Sequence, residues 1–170
     1  MRTSALLLTL ALLGGCASTP KDVSSFDAGA NQTVLDSGTI SLGRPVQGGS
    51  FNAGGYTIRA EARCPGRACQ PELFTVSVYK SAGGNDARSS FDQVAFETET
   101  GTIQFTQQRN AYGQAEFYDV AQGELVRLEV PRNVFDSFAN DPSLSVRLGA
   151  TLFRLPHSAR LPFRTMLGEG

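Results

Sequence analysis

Few side chains in this 170-residue chain can do covalent, redox or metal chemistry: it holds three cysteines and one histidine. Cys64 and Cys69 lie in Cys64-Pro65-Gly66-Arg67-Ala68-Cys69, with a Pro-Gly turn signal between them. A redox pair usually encloses two residues where this one encloses four, and a zinc site needs two further ligands. The spacing predicts a structural disulfide in an oxidising compartment. Closing a six-residue loop contributes about 2 kcal/mol in the chain-entropy view. The other use of such a loop is to hold Arg67 out toward a partner, as protease inhibitors do. His157, in Leu155-Pro156-His157-Ser158, is the sole imidazole that could act as a general base, and no Gly-x-Ser-x-Gly elbow accompanies it. The carboxylates fall on outward strand positions, and Asn85-Asp86 lacks the spacing of a calcium loop. No catalytic residue, metal site or cofactor is assigned from these patterns.

Cys16 stands in a different context. Arg2 is followed by an apolar run from Ala5 to Leu13, broken only by Thr9, and the segment closes on Leu13-Gly14-Gly15-Cys16. That run is too short for a bilayer crossing, which needs about 20 apolar residues. It reads as the apolar stretch of a secretory leader. Leu-Gly-Gly-Cys resembles the lipobox of bacterial lipoproteins. The resemblance implies that the Cys16 thiol is diacylated, that the leader over residues 1–15 is removed, and that the new amino terminus is acylated. Two or more acyl chains anchor durably where one does not. Ala17 occupies the position where an aspartate would resemble the inner-membrane retention signal. The resemblance therefore points to the cell envelope, at the outer membrane and facing the periplasm. The membrane is the partner so implied, and a protein or cell-wall partner stays unidentified.

Of the charged residues only Arg2 lies in the leader, which leaves 14 basic against 16 acidic side chains. A slightly acidic balance gives no electrostatic footprint for nucleic acid. The polar, turn-rich stretch to about Thr33 reads as a flexible tether. The expected organisation is thus residues 1–15 as leader, 16–33 as lipidated cysteine and tether, and 34–170 as one domain.

Within that domain the dominant period is two. Tyr56, Ile58, Ala60 and Ala62 alternate with Thr57, Arg59, Glu61 and Arg63. The pattern recurs at Phe74-Val76-Val78, Val94-Phe96, Ile103-Phe105, around Phe117, at Val126-Leu128-Val130, at Leu144-Val146-Leu148 and from Leu152 to Leu155. Short alternating runs punctuated by Gly and Asn predict a mainly β domain, an antiparallel sandwich or barrel. Pro131 to Asn140 carries Val134, Phe135 and Phe138 at helical spacing. A second short helix is predicted over 158–167, with Ser158 as its cap and Leu161, Phe163 and Leu167 packed inward. Arg154, Arg160 and Arg164 would then share a solvated face, or a patch for anionic lipid or cell-wall polymer.

Val34-Leu35-Asp36-Ser37-Gly38-Thr39 resembles the Asp-Ser/Thr-Gly signature of aspartic proteases, in which two aspartates share one proton. Only one copy is present, and Asp-Ser-Gly also makes an ordinary turn. Tyr79, Tyr112 and Tyr118 are the candidate rings for stacking on a sugar, in a chain with no Trp. These features lead to the expectation of a membrane-anchored, non-enzymatic binding, assembly or structural module. The rival expectations are an inhibitor or immunity-type protein presenting the Cys64–Cys69 loop, and an envelope hydrolase acting through Asp36.

Overall fold

Side-chain alternation in the sequence becomes two antiparallel sheets in the computed structural model, which describes residues 23–48, 55–67, 69–81, 93–121 and 123–168. The leader, Cys16, Asn85-Asp86 and the first part of the expected tether, residues 16–22, lie outside those residues. The first sheet contains β1 (Ser24–Asp27), β2 (Gln32–Asp36), β4 (Tyr56–Pro65), β5 (Leu73–Ser81), β9 (Gly123–Pro131) and β8 (Gln114–Val120) in that spatial order. The two-residue β3 (Ile40–Ser41) continues the β2 side of β4. The second sheet runs β11 (Thr151–Arg154), β10 (Ser145–Leu148), β6 (Val94–Thr98), β7 (Gly101–Phe105). Helix α1 (Arg132–Asn140) follows β9, and a 3-10 turn (His157–Arg160) leads into α2 (Leu161–Leu167). The mainly β, sandwich-like domain with two short helices thus agrees with the periodicity.

Inward positions are buried as the pattern requires. Ile58, Ala60, Phe74, Val76, Val78, Phe96, Val126, Leu128, Val130 and Val146 have no exposed surface. Full burial of each large apolar side chain contributes roughly 1.5–3 kcal/mol. Helix α1 ties the two sheets together through its rings. Phe135 stacks on Phe74 of the first sheet at 4.0 Å, and Phe138 stacks on Phe96 of the second at 4.5 Å. Phe163 of α2 closes the cluster from outside, 5.5 Å from Phe135. Val46 N and Leu152 N exchange hydrogen bonds with Leu152 O and Gln47 O, covering the β11 edge of the second sheet. Gly113, with φ near 129°, enters β8 so close to β9 that a Cβ would sit 1.9 Å from the Glu129 carbonyl oxygen.

Three expectations are corrected. The tether does not extend to residue 33, because Val23 to Asp36 forms a hairpin whose β2 pairs with β4 from Gln32↔Pro65 to Asp36↔Glu61. Backbone pairing is indifferent to the polar composition that suggested a tether. Ser158 caps nothing: it lies inside the 3-10 turn, and no side chain caps either C-terminal helix. Leu161 is 46% exposed, and Met166 takes the inward place expected of it.

The largest departure is Arg160, whose side chain has no exposed surface. Its Nη1 donates to the carbonyls of Phe138 (2.7 Å) and Ala139 (3.0 Å), in the last turn of α1. A cation is favourable at a helix C-terminus, where carbonyls lack intrahelical partners. Burial lowers the pKa of Arg160 from its ordinary value, Asp141 opposes that shift, and Arg164 adds to it. Asp141 is itself buried. It accepts the amides of Glu99 (2.9 Å, Oδ2) and Ser143 (2.9 Å, Oδ1), so α1 is also tied to the β6–β7 turn. We expect Arg160→Met, which keeps the stem and removes the cation, to lower stability by about 3 kcal/mol in urea unfolding. A loss of a few tenths would show that the guanidinium is a bystander.

Candidate functional site

The outer face of the first sheet gathers the polar and aromatic residues that alternation turns away from the core. Register sets them in rows. Thr57, Tyr79, Leu125 and Tyr118 lie side by side across β4, β5, β9 and β8. The next row is Arg59, Ser77, Arg127 and Glu116, and the next is Glu61, Thr75, Glu129 and Gln114. Val120 continues the aromatic row's side of β8, and Tyr118 and Val120 are 40% and 38% exposed. A shallow groove of about 250 Å³ runs between Leu73, Thr75, Gln114, Glu116 and Arg127.

Charges on this face are matched locally. Arg59 Nε and Nη2 donate to Asp36 Oδ1 (2.9 Å) and Oδ2 (2.7 Å), and Nη2 also meets Glu61 at 2.7 Å. The hydrogen bond to Asp36 is the main cause of a raised Arg59 pKa, opposed by partial burial and reinforced by Glu61. Arg109 pairs with Glu129 at 2.6 Å. The Tyr118 hydroxyl donates to Glu116, and Arg127 lies 5.7 Å from the centre of the Tyr118 ring. That bond to Glu116 is the first cause holding the Tyr118 phenol above its usual pKa, while Arg127 pulls it down. Beside these pairs, Tyr79, Leu125 and Tyr118 form a row of aromatic and aliphatic surface. This face carries no imidazole or thiol among the described residues.

The residues singled out by sequence fall in separate places. Asp36-Ser37-Gly38 breaks the strand between β2 and β3. The Asp36 carboxylate accepts the Gly38 amide at 2.7 Å, and Gly38 adopts φ near 66°. The Ser37 hydroxyl accepts the Ala60 amide at 2.8 Å and donates to the Gly38 carbonyl at 2.8 Å, replacing a ladder partner lost at the break. Both Asp36 oxygens are therefore committed to turn and ion-pair bonds. Cys64 and Cys69 form a disulfide with Cα atoms 5.9 Å apart. The loop it closes is seated on the β1–β2 hairpin, with Gly66 N donating to Asn31 O (2.9 Å) and Thr33 Oγ1 to Gly66 O (2.6 Å). Arg67 turns back over the Phe26 ring at 4.0 Å. His157 is exposed in the 3-10 turn, its carbonyl accepting Arg164 Nη1 at 2.9 Å. Arg160 leaves the expected basic cluster for the interior. Of the three tyrosines, Tyr79 and Tyr118 flank Leu125 on one face, whereas exposed Tyr112 sits in the turn before β8. Among the described residues no three His, Cys, Asp or Glu side chains gather as a metal site would require, and no helix is long and apolar enough to cross a membrane.

No protein-family model matches this chain, and neither a curated protein nor a solved structure is significantly similar to it.

If Asp36-Ser37-Gly38 serves to build the strand break, Ser37→Ala should destabilise by about 1–3 kcal/mol, because it leaves the buried Ala60 amide without a partner. Asp36→Asn, at an exposed ion pair, should cost under about 1 kcal/mol. Urea unfolding that ranks the two the other way would refute this assignment. In a spectrophotometric titration Tyr118 should ionise above the ordinary tyrosine range, and Glu116→Gln should bring it down. A titration unchanged by that substitution would mean the bond is absent in solution.

Proposed function

We propose that this protein is a lipid-anchored module of the bacterial cell envelope that works by binding or assembly, without catalysis, at the outer membrane and facing the periplasm. The observation that carries the reading is Leu13-Gly14-Gly15-Cys16 after a short apolar leader. It is supported by the disulfide, which suits an oxidising compartment. It is also supported by the outer sheet face, where Arg59 and Arg109 pair with acids and the Tyr79–Leu125–Tyr118 row presents aromatic and aliphatic surface. Acylation at Cys16 would supply the membrane hold, and the sheet face would meet a protein or cell-wall partner.

The test is direct. Wild-type protein should sediment with membranes, be released only by detergent, and show an acylated amino-terminal Cys16 by mass spectrometry. Cys16→Ser should be soluble in the periplasmic fraction. A soluble wild-type protein, or a membrane-bound Cys16→Ser, would reject the anchor.

A further inference from the structure

The start of the described chain identifies a second surface, and the inference rests on the lipid anchor proposed above. Cys16 and Val23 are seven residues apart. Whatever path that stretch takes, the Cα of Val23 lies at most about 25 Å from the Cα of Cys16. Val23 O accepts the Asp36 amide at 2.8 Å, which fixes it at the head of β1, one of the two edge strands of the first sheet. Phe26 follows three residues later, about 10 Å along the strand. Over its ring lies the exposed Arg67 guanidinium, 4.0 Å from the centroid, donating to no group among the described residues.

The other charges at this edge do not answer Arg67. Asp27 Oδ1 accepts the amides of Gly29 and Ala30, and Asp36 is taken by Arg59. Arg63, two strands in, lies on the opposite sheet face, in register with Val34 and Ser25. The disulfide and the Thr33 hydroxyl hold the loop that carries Arg67 in place.

We propose that the β1 edge, through Phe26 and Arg67, rests on the phospholipid headgroups of the membrane that holds Cys16. A guanidinium is a planar fork matched to phosphate oxygens, and an aromatic ring beneath it suits a boundary between apolar and aqueous phases. The anchor keeps headgroups at high effective concentration around the edge, so one weak contact suffices. Strand β8 is five strand spacings away, about 24 Å. It faces the aqueous phase with Tyr118 and Val120 exposed.

To test this, acylated protein carrying one fluorophore, at Ser25→Cys or at Asp119→Cys, is reconstituted into vesicles of phosphatidylethanolamine and phosphatidylglycerol containing a headgroup-nitroxide lipid. Quenching should be strong at position 25 and near background at position 119. Arg67→Ala should lower the docked-to-free ratio about fivefold. A flexible Gly-Ser insertion after Ser18 should lower it without touching the domain. Equal quenching at both positions, stronger quenching at 119, or indifference to both changes overturns the proposal. Mass spectrometry of the same sample separates the two readings. A bare Cys16 thiol defeats the anchor and this inference together, whereas acylated Cys16 without positional contrast defeats the inference alone.

Discussion

A single buried cation organises the helical end of this domain. Arg160 brings a formal charge into a core of phenylalanines, and its Nη1 meets the carbonyls that α1 leaves open. Helix α1 can then end inside the protein, in position for Phe135 and Phe138 to touch opposite sheets. Asp141, one residue beyond the helix, balances that charge and holds the β6–β7 turn. Sheet, helix and C-terminal turn are therefore mutually dependent. An uncapped helix end at this depth would leave polar groups unsatisfied.

Much of the β architecture was legible because alternation is a direct physical record of burial. Tyr56 to Ala62, Phe74 to Val78 and Val126 to Val130 each show which side is wet, and the sheet follows. The β1–β2 hairpin was half hidden: Val34 and Leu35 mark β2, but β1 offers only Phe26 among Ser24, Ser25 and Asp27, and the pairing is held by the backbone ladder, Thr33 and a seated disulfide loop. Arg160 was hidden for the opposite reason: charge suggests exposure. Its spacing held a clue, for Arg160, Phe163 and Leu167 fall three and four residues apart on one helix face, and the last two are buried.

The candidate surface was only half legible. Composition singled out Tyr79 and Tyr118, but register alone sets both beside Leu125. In the same way Asp36-Ser37-Gly38 could be read as catalytic until Arg59 and the Ala60 amide, both distant in sequence, were seen to engage it. Short motifs carry local turn information reliably, whereas their long-range partners are supplied by the fold.

The position of Val23 has a mechanical consequence. Tension applied from the N-terminal side reaches β1 before any other strand, and β1 holds to β2 through one short antiparallel ladder. Beyond that ladder the loop closed by Cys64–Cys69 is fastened to the hairpin by hydrogen bonds from Gly66 N to Asn31 O and from Thr33 Oγ1 to Gly66 O. Such a pull would first strip the β1–β2 hydrogen bonds and then load these fastenings, before it reaches the phenylalanine interior.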